Sequence, residues 1–434
     1  MSQQAKKSYA LPIAMMFALF AMIAFVTNLC SPMGVIVKNQ FGASNFMASL
    51  GTAANFIAYA VMGIPAGLML KKIGYKPTAL SAIAVGFFGV LIQYISGLDG
   101  IQSFWVYLLG AFVSGFSMCM LNTVVNPMLN TLGGGGNKGN QLIQFGGTLN
   151  SFSATFVTIM VGALIGDATK ASISDATPAL FIAMGIFALV FVVLWSVNIP
   201  EPERKVETST SQKDKHSAFS FRHFVLGIIA IFTYMGVEAG VPYYVNQYLT
   251  AASDASVSGF GMDAGAAGSI VGVFWLLMLV GRLAGGMLGE KISSRTQITV
   301  VSSLCIALLL IGIFAPTDIT IQMPGFNGSA GSFQMVSVPI GILFFILTGL
   351  CTSVMWGGIF NMAVEGLGKY TALASGMFMV MVCGGGIIPP LQGWIADITG
   401  SYMTSYFVVI ACSAYILFYA LVGSKNVNKD IPTE

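Results

Sequence analysis

Charged residues are scarce in this chain. Asp, Glu, Lys and Arg make up only 8% of its 434 residues, whereas a soluble domain carries about 25%. Hydrophobic residues make up 56%, and the mean hydropathy is +0.83. This composition excludes a soluble globular protein and predicts an all-α membrane protein whose helices contact membrane lipid.

The residue patterns of metal sites and of enzyme active sites are also missing. The six cysteines all lie inside apolar runs without metal-ligand spacing: Cys30, Cys119, Cys305, Cys351, Cys383 and Cys412. The two histidines, His216 and His223, lie in or beside a polar segment, and no nucleophile has a base at a suggestive spacing. The sequence therefore predicts no enzyme, no metal site, no cofactor and no nucleic-acid partner.

Acidic residues are rarest in the first half of the chain. No Asp or Glu precedes Asp99, and the next two acids, Asp167 and Asp175, also fall between hydrophobic runs. Glu238, in contrast, lies near the middle of the apolar stretch Phe224–Leu249, which is long enough to cross a bilayer. A charged group at such a depth costs roughly 2.5–3.5 kcal/mol, so Glu238 is a candidate functional residue.

Hydrophobic windows predict twelve membrane spans. They lie near residues 10–38, 47–70, 79–97, 104–130, 142–166, 178–198, 222–249, 264–290, 297–315, 335–363, 371–396 and 402–423. The only long polar segment, residues 201–221, is charged and rich in Ser and Thr, which is typical of a linker. It predicts a first half (1–200) and a second half (222–434), each with six helices.

The basic residues predict the orientation of the spans. With the N-terminus inside, every Lys and Arg except Lys38 and Lys170 falls on or near the cytoplasmic side. We therefore expect a multi-pass protein of the cytoplasmic (inner) membrane with the linker and both termini in the cytoplasm.

Short segments of the two halves also repeat each other. The pairs are 37–44 with 245–253, 63–70 with 281–288, and 165–169 with 395–399. Pseudo-symmetric halves with a site at their interface, near the bilayer midplane, are typical of secondary transporters.

Amides, hydroxyls and aromatic rings mark a predicted binding site inside the spans. Its residues are Asn28, Ser31, Asn122, Asn126, Gln144, Tyr234, Glu238, Trp275, Trp356 and Asn361. Paired donors and acceptors with aromatic faces suit a sugar, which displays both hydroxyls and C–H surfaces. Single polar residues in membrane helices can also serve only to join helices.

The charges around this predicted site favour an uncharged ligand. We expect no Lys or Arg at mid-depth, which argues against an anion, and we expect Arg282 to form a structural or gating charge cluster with Glu290. The predicted substrate is a neutral sugar. A nucleoside or an amino sugar is an alternative.

Several segments carry recognisable motifs: PAGLMLKKIGYK after span 2, LNTVVNPMLNTLG in span 4 and YMGVEAGVPYYVNQYL in span 7. These motifs resemble the fucose–galactose–glucose symporter family of the major facilitator superfamily. The resemblance implies the major facilitator fold and proton-driven uptake of hexoses. It places Ser31 and Asn122 where the family has acids, Asn28 on a substrate-contacting Asn, and Gln144 or Gly147 on a span-5 Gln.

Three modes of coupling remain open. Glu238 can carry H⁺, because neither Ser31 nor Asn122 titrates in the working range. Alternatively, oxygens of Asn28, Ser31 and Asn122 can bind Na⁺, or the transporter is facilitative and uncoupled. We predict a monomeric secondary active transporter that takes up sugar by alternating access, with cation-coupled symport.

Overall fold

The computed structural model describes residues 9–132, 136–165, 170–199, 216–288, 292–327, 332–367, 370–428 and 430–432. Most of the predicted linker lies outside them, so the division into two halves stays a prediction. The side chains of Ser31 and Gln144, both predicted site residues, also lie outside the described part, although their backbones are helical.

Within the described residues, twelve helical segments are long and apolar enough to cross a membrane, which confirms the predicted spans. The first half contains α1 (Ala10–Gln40), α2 (Asn45–Ile73), α3 (Tyr75–Ile95), α4 (Phe104–Leu132), α5 (Gly136–Ile165) and α6 (Thr177–Ser196). After a 3₁₀ turn (Ala218–Ser220), the second half contains α7 (Arg222–Thr250), α8 (Ala264–Leu288), α9 (Ser294–Phe314), α10 (Ile340–Thr352), α11 (Met355–Val364), α12 (Thr371–Met381), α13 (Gly384–Thr399) and α14 (Tyr402–Phe418), with a π-helical end (Tyr419–Gly423).

Two spans of the second half are each built from two helices. Span 10 divides between α10 and α11, where the hydroxyls of Thr348, Thr352 and Ser353 bond back to carbonyls of the preceding turn. Such bonds compete with the helical ladder and bend helices. Span 11 divides between α12 and α13, directly before Gly384, which packs against the backbone of Phe232 in α7. A side chain at that glycine would collide with α7.

A β-hairpin joins α9 to α10, where the hydrophobic pattern predicts only a loop between two spans. Strands β1 (Thr320–Asn327) and β2 (Ser332–Pro339) pair antiparallel, with Thr320 opposite Pro339. The Phe326 N–H donates to the Ser269 hydroxyl at 2.9 Å, which fixes the hairpin to the start of α8.

Small residues let helices of the two halves approach closely. A Cβ on Gly162 of α5 would collide with the Ala264 carbonyl of α8, and one on Gly268 would collide with the Thr158 carbonyl. Close backbone packing through glycine is a usual means of helix association in lipid. The α5–α8 contact therefore holds the halves together beside the predicted site.

A polar network joins the halves at the end of the bundle that we call the outer end, following the predicted orientation. The Asp397 carboxylate of α13 accepts from the Asn45 amide nitrogens (N 3.0 Å, Nδ2 2.7 Å) and from the Phe46 N–H (2.9 Å). Lys38 Nζ donates to Asn45 Oδ1 and Tyr402 Oη, both at 2.7 Å. Asp397 thus caps the N-terminus of α2 from the other half, where the helix dipole favours an anion. The outer end is closed by this network.

We expect Asp397→Asn to open the outer end. The neutral amide loses the charge-assisted bonds to α2, so the ratio of closed to open protein should fall about tenfold, equivalent to about 1.4 kcal/mol. Spin labels at Asp99→Cys and Asp254→Cys, on outer loops of the two halves, should then report a larger fraction of long distances.

Ser44→Ala is the matched control, because Ser44 caps the same helix from its own half through the Met47 N–H. Its loss should lower stability without changing the distances. Equal distance distributions for Asp397→Asn and the parent protein would show that the network does not control opening.

Candidate functional site

Glu238 projects from the middle of α7 toward α5 and α8. Neighbouring glycines place it there: Gly236 packs against Ile388 and Gly240 against Gln392, so α13 approaches one face of α7 closely. The Glu238 side chain leaves the other face, where Arg282 Nη2 of α8 lies 3.5 Å from its Oε1. The deepest acid predicted from the sequence therefore has a basic partner.

Arg282 also crosses to the first half. Its Nη1 donates to the Gly147 carbonyl at 2.7 Å and to the Ser151 hydroxyl at 2.9 Å, both on α5. One guanidinium thus links α5, α7 and α8. Its fixed array of donors suits this use, since each N–H takes a separate acceptor.

This arrangement corrects the expectation that no cation lies at mid-depth. The sequence predicts Arg282 near the inner end of span 8 with Glu290, but its guanidinium lies beside Glu238, at the middle of α7. Glu290 lies outside the described residues. A long side chain moves its charge well away from its own Cα, so position along the helix misjudges the depth of the guanidinium.

The Glu238–Arg282 ion pair is partly exposed, and its hydrogen-bonding positions are not all used. Glu238 keeps 14% and Arg282 16% of their side-chain exposure, so water-sized molecules reach both. The 3.5 Å separation exceeds the usual 2.7–3.2 Å of a hydrogen bond, which leaves the carboxylate able to accept further donors. The buried Tyr234 hydroxyl faces the same pair and has no well-oriented hydrogen bond among the described residues.

The three predicted site asparagines of the first half present their amides in one common way. Each donates Nδ2 to the carbonyl one turn earlier: Asn28 to Ala24 (2.9 Å), Asn122 to Met118 (3.1 Å) and Asn126 to Asn122 (2.9 Å). Asn122 also donates to the Tyr59 hydroxyl at 2.9 Å. These bonds orient the side chains through their Nδ2 groups and use none of the amide oxygens.

The two predicted tryptophans have different surroundings. Trp356 of α11 packs on Tyr234 with ring centroids 6.2 Å apart, so the structure brings it to the Glu238–Arg282 pair. Trp275 contacts Phe274 of its own helix edge-to-face at 5.2 Å. Asn361 is exposed, and no hydrogen bond or ion pair within the described part of the chain joins it to the pair.

Arg282, Gly147 and Ser151 belong to the site but are absent from the predicted set. The sequence contains one usable signal: an arginine within an otherwise apolar span is nearly as costly as Glu238 and requires a partner. Gly147 appears in the sequence analysis only as an alternative to Gln144 for the span-5 Gln, and the backbone carbonyl that it contributes leaves no signal of its own in the sequence.

Comparison with known proteins agrees with this architecture. The sequence-family model of the Major Facilitator Superfamily matches residues 15–338 of this chain. The glucose/galactose transporter of Brucella abortus is 28% identical over 427 residues, covering 97% of this chain and 96% of its own. The L-fucose-proton symporter of Escherichia coli is 23% identical, with 97% and 94% covered. The crystal structure of the transporter FucP in the outward conformation superposes with a TM-score of 0.67 at 22% identity, over 97% of this chain and 100% of that one.

Proposed function

This chain belongs to the major facilitator superfamily, and we propose that it takes up a neutral, hexose-like sugar by alternating access, in symport with protons. We place it in the cytoplasmic (inner) membrane as a functional monomer with both termini in the cytoplasm. The observation that carries the proposal is the accessible, unsaturated Glu238–Arg282 pair between the two halves. The names of the relatives, a glucose/galactose transporter and an L-fucose-proton symporter, support the substrate class.

The charge balance of the site selects an uncharged substrate. Glu238 and Arg282 together carry no net charge, and no further ion pair is found near them in the described residues. An anion would have to displace Glu238 from Arg282, and a cation would have to displace Arg282. Sugar hydroxyls instead donate to the spare acceptor positions of the carboxylate and accept from Tyr234.

The first half supplies the opposite wall of the site. The amide oxygens of Asn28, Asn122 and Asn126 accept hydroxyl protons, and Trp356 covers an apolar face of the sugar ring. Ser31 and Gln144 remain proposed contacts on this side. Because the sugar bridges the two halves, its binding can favour their movement relative to each other.

Glu238 carries the coupling proton in this account. The ionised carboxylate attracts Arg282 toward α7, whereas protonation removes this attraction and leaves the bonds to Gly147 and Ser151 of α5 in place. Protonation therefore weakens the link that Arg282 makes between α7 and α5, and the proton and the sugar are bound at the same place. Sodium coupling and uncoupled transport are the outcomes that would replace this step.

The substrate class is tested by counterflow. Proteoliposomes loaded with unlabelled glucose should draw in radiolabelled galactose, and external glucose, galactose or fucose should compete with it. Uridine and sucrose should compete at least about tenfold less well, because a specific site rejects ligands that leave its polar groups unpaired. Counterflow of labelled uridine, with no counterflow of any hexose, would identify the substrate as a nucleoside instead.

A further inference from the structure

A second set of polar side chains lies toward the outer end, away from Glu238. Tyr243 and Gln247 of α7 and Gln392 of α13 are at most 2% exposed. The Tyr243 hydroxyl, the Gln247 Nε2 and both amide atoms of Gln392 have no hydrogen-bond partner in the described part of the chain. We call these three residues the outer cluster. Buried polar groups are almost always paired, so four unpaired atoms in one region require an explanation.

The outer cluster lies where the two halves meet. Gly240, Tyr243 and Gln247 follow one face of α7, since residues three and four apart share a face. Gly34 of α1 packs directly on Tyr243 and lies against Gln247, where an added Cβ would be 3.0 Å from Nε2. Gly240 packs directly on Gln392. The backbones of α1 and α7 therefore cover these polar groups without offering them a bond.

Neighbouring tyrosines show that this region can satisfy polar groups. The Tyr244 hydroxyl donates to the Pro389 carbonyl at 2.8 Å, and the Tyr406 hydroxyl donates to the Val241 carbonyl at 3.2 Å. Tyr243 lies beside Tyr244, with ring centroids 5.0 Å apart, and differs only in lacking such a partner. Among these neighbouring tyrosines, the Tyr243 hydroxyl is thus the one without a partner in the described part of the chain.

The network that closes the outer end lies directly above the outer cluster. Lys38 follows Gly34 by one turn of α1 and bonds to Asn45 and Tyr402. When that network opens, α1 leaves α7 and the outer cluster faces the entry path. A phenol and two carboxamides offer donors and acceptors in the combination that sugar hydroxyls use.

We propose that Tyr243, Gln247 and Gln392 form an outer sugar subsite, which binds the substrate only when the outer end is open. This inference rests on the proposed function, because it takes the ligand to be the same neutral sugar. The subsite lies about 7 Å beyond Glu238 along the axis of α7, at 1.5 Å per residue. In the closed state its unpaired atoms oppose closure, while the Asp397 network favours it.

The test compares sugar affinity from the two sides of the membrane. In right-side-out vesicles, Tyr243→Phe and Gln392→Leu should each raise the half-saturating external galactose concentration about fivefold to twentyfold. The half-saturating internal concentration for efflux should change less than twofold. Neither variant should lower the unfolding temperature, because each removes polar atoms that are unpaired in the closed state.

Tyr244→Phe is the matched control. It removes a bonded hydroxyl from the adjacent position, so it should lower the unfolding temperature and change both affinities equally. Spin labels at Asp99→Cys and Asp254→Cys measure the fraction of open protein without sugar. If the subsite binds sugar, the fold-loss of external affinity in Tyr243→Phe and Gln392→Leu should exceed the fold-change of that open fraction.

Two failures are distinguishable. If the unmodified protein exchanges no hexose, the proposed function is wrong and the subsite falls with it. If it exchanges hexoses but Tyr243→Phe and Gln392→Leu change external and internal affinity equally, or only through the open fraction, the subsite alone is overturned.

Discussion

Glu238→Gln is expected to abolish accumulation of sugar against a gradient and to preserve exchange. The amide keeps the size and hydrogen-bonding capacity of the carboxyl group, so the sugar still binds, but it cannot take up or release a proton. In energised right-side-out vesicles, the internal-to-external ratio of radiolabelled galactose should fall from well above ten to about one. A tenfold gradient corresponds to about 1.4 kcal/mol, all of which the coupling ion must supply.

The control for this variant is Glu365→Gln, which neutralises an exposed acid at the end of α11. It should accumulate galactose normally. Counterflow by Glu238→Gln should stay within about threefold of the parent rate, since exchange requires no net proton movement. Concentrative uptake at the parent level would remove Glu238 from the coupling step.

Arg282→Leu is expected to produce the largest loss of stability. It leaves the Glu238 carboxylate without its cation and removes the donors to Gly147 and Ser151. Breaking a fully buried ion pair by removing one partner costs about 3–5 kcal/mol, and the residual exposure of this pair lowers our expectation to about 2 kcal/mol. Thermal unfolding in detergent should begin several degrees lower, and transport should be lost.

The double variant Glu238→Gln with Arg282→Leu tests whether that loss comes from the pair. Removing both charges should restore part of the unfolding temperature, giving a coupling of about 1 kcal/mol or more in a double-mutant cycle. Arg222→Leu, at the exposed start of α7, should have little effect. Strictly additive effects of the two substitutions would mean that the 3.5 Å contact contributes nothing.

The spans were predictable because bilayer thickness imposes a length of apolar sequence that few other structures need. Glu238 is recognisable from the sequence because a charged side chain in the middle of such an apolar span is costly. The break in span 11 has a visible cause in the glycines beginning at Gly384. The break in span 10 has no such signal in the sequence. Thr352 and Ser353 bend the helix only through hydrogen bonds that depend on their side-chain rotamers.

Pairings across the halves could not be predicted from the sequence. Asp397 belongs to a segment that repeats residues 165–169, yet its bonds to Asn45 and Phe46 depend on how the halves close. The contact of Arg282 with Glu238 is not predictable from its place along α8, because the two residues lie on different helices and the long side chain displaces the charge from its Cα. The position of Arg282 in the sequence determines the depth of its Cα, whereas the ion pair and the hydrogen bonds are formed by the guanidinium at the end of the side chain.

Proton movement during sugar entry tests the central proposal most directly. Galactose added to lightly buffered, de-energised right-side-out vesicles should make the medium alkaline in proportion to the sugar taken up, and Glu238→Gln should abolish the pH change. A medium that stays at constant pH while galactose enters, with uptake driven instead by an imposed Na⁺ gradient or by no ion gradient, would contradict proton coupling through Glu238.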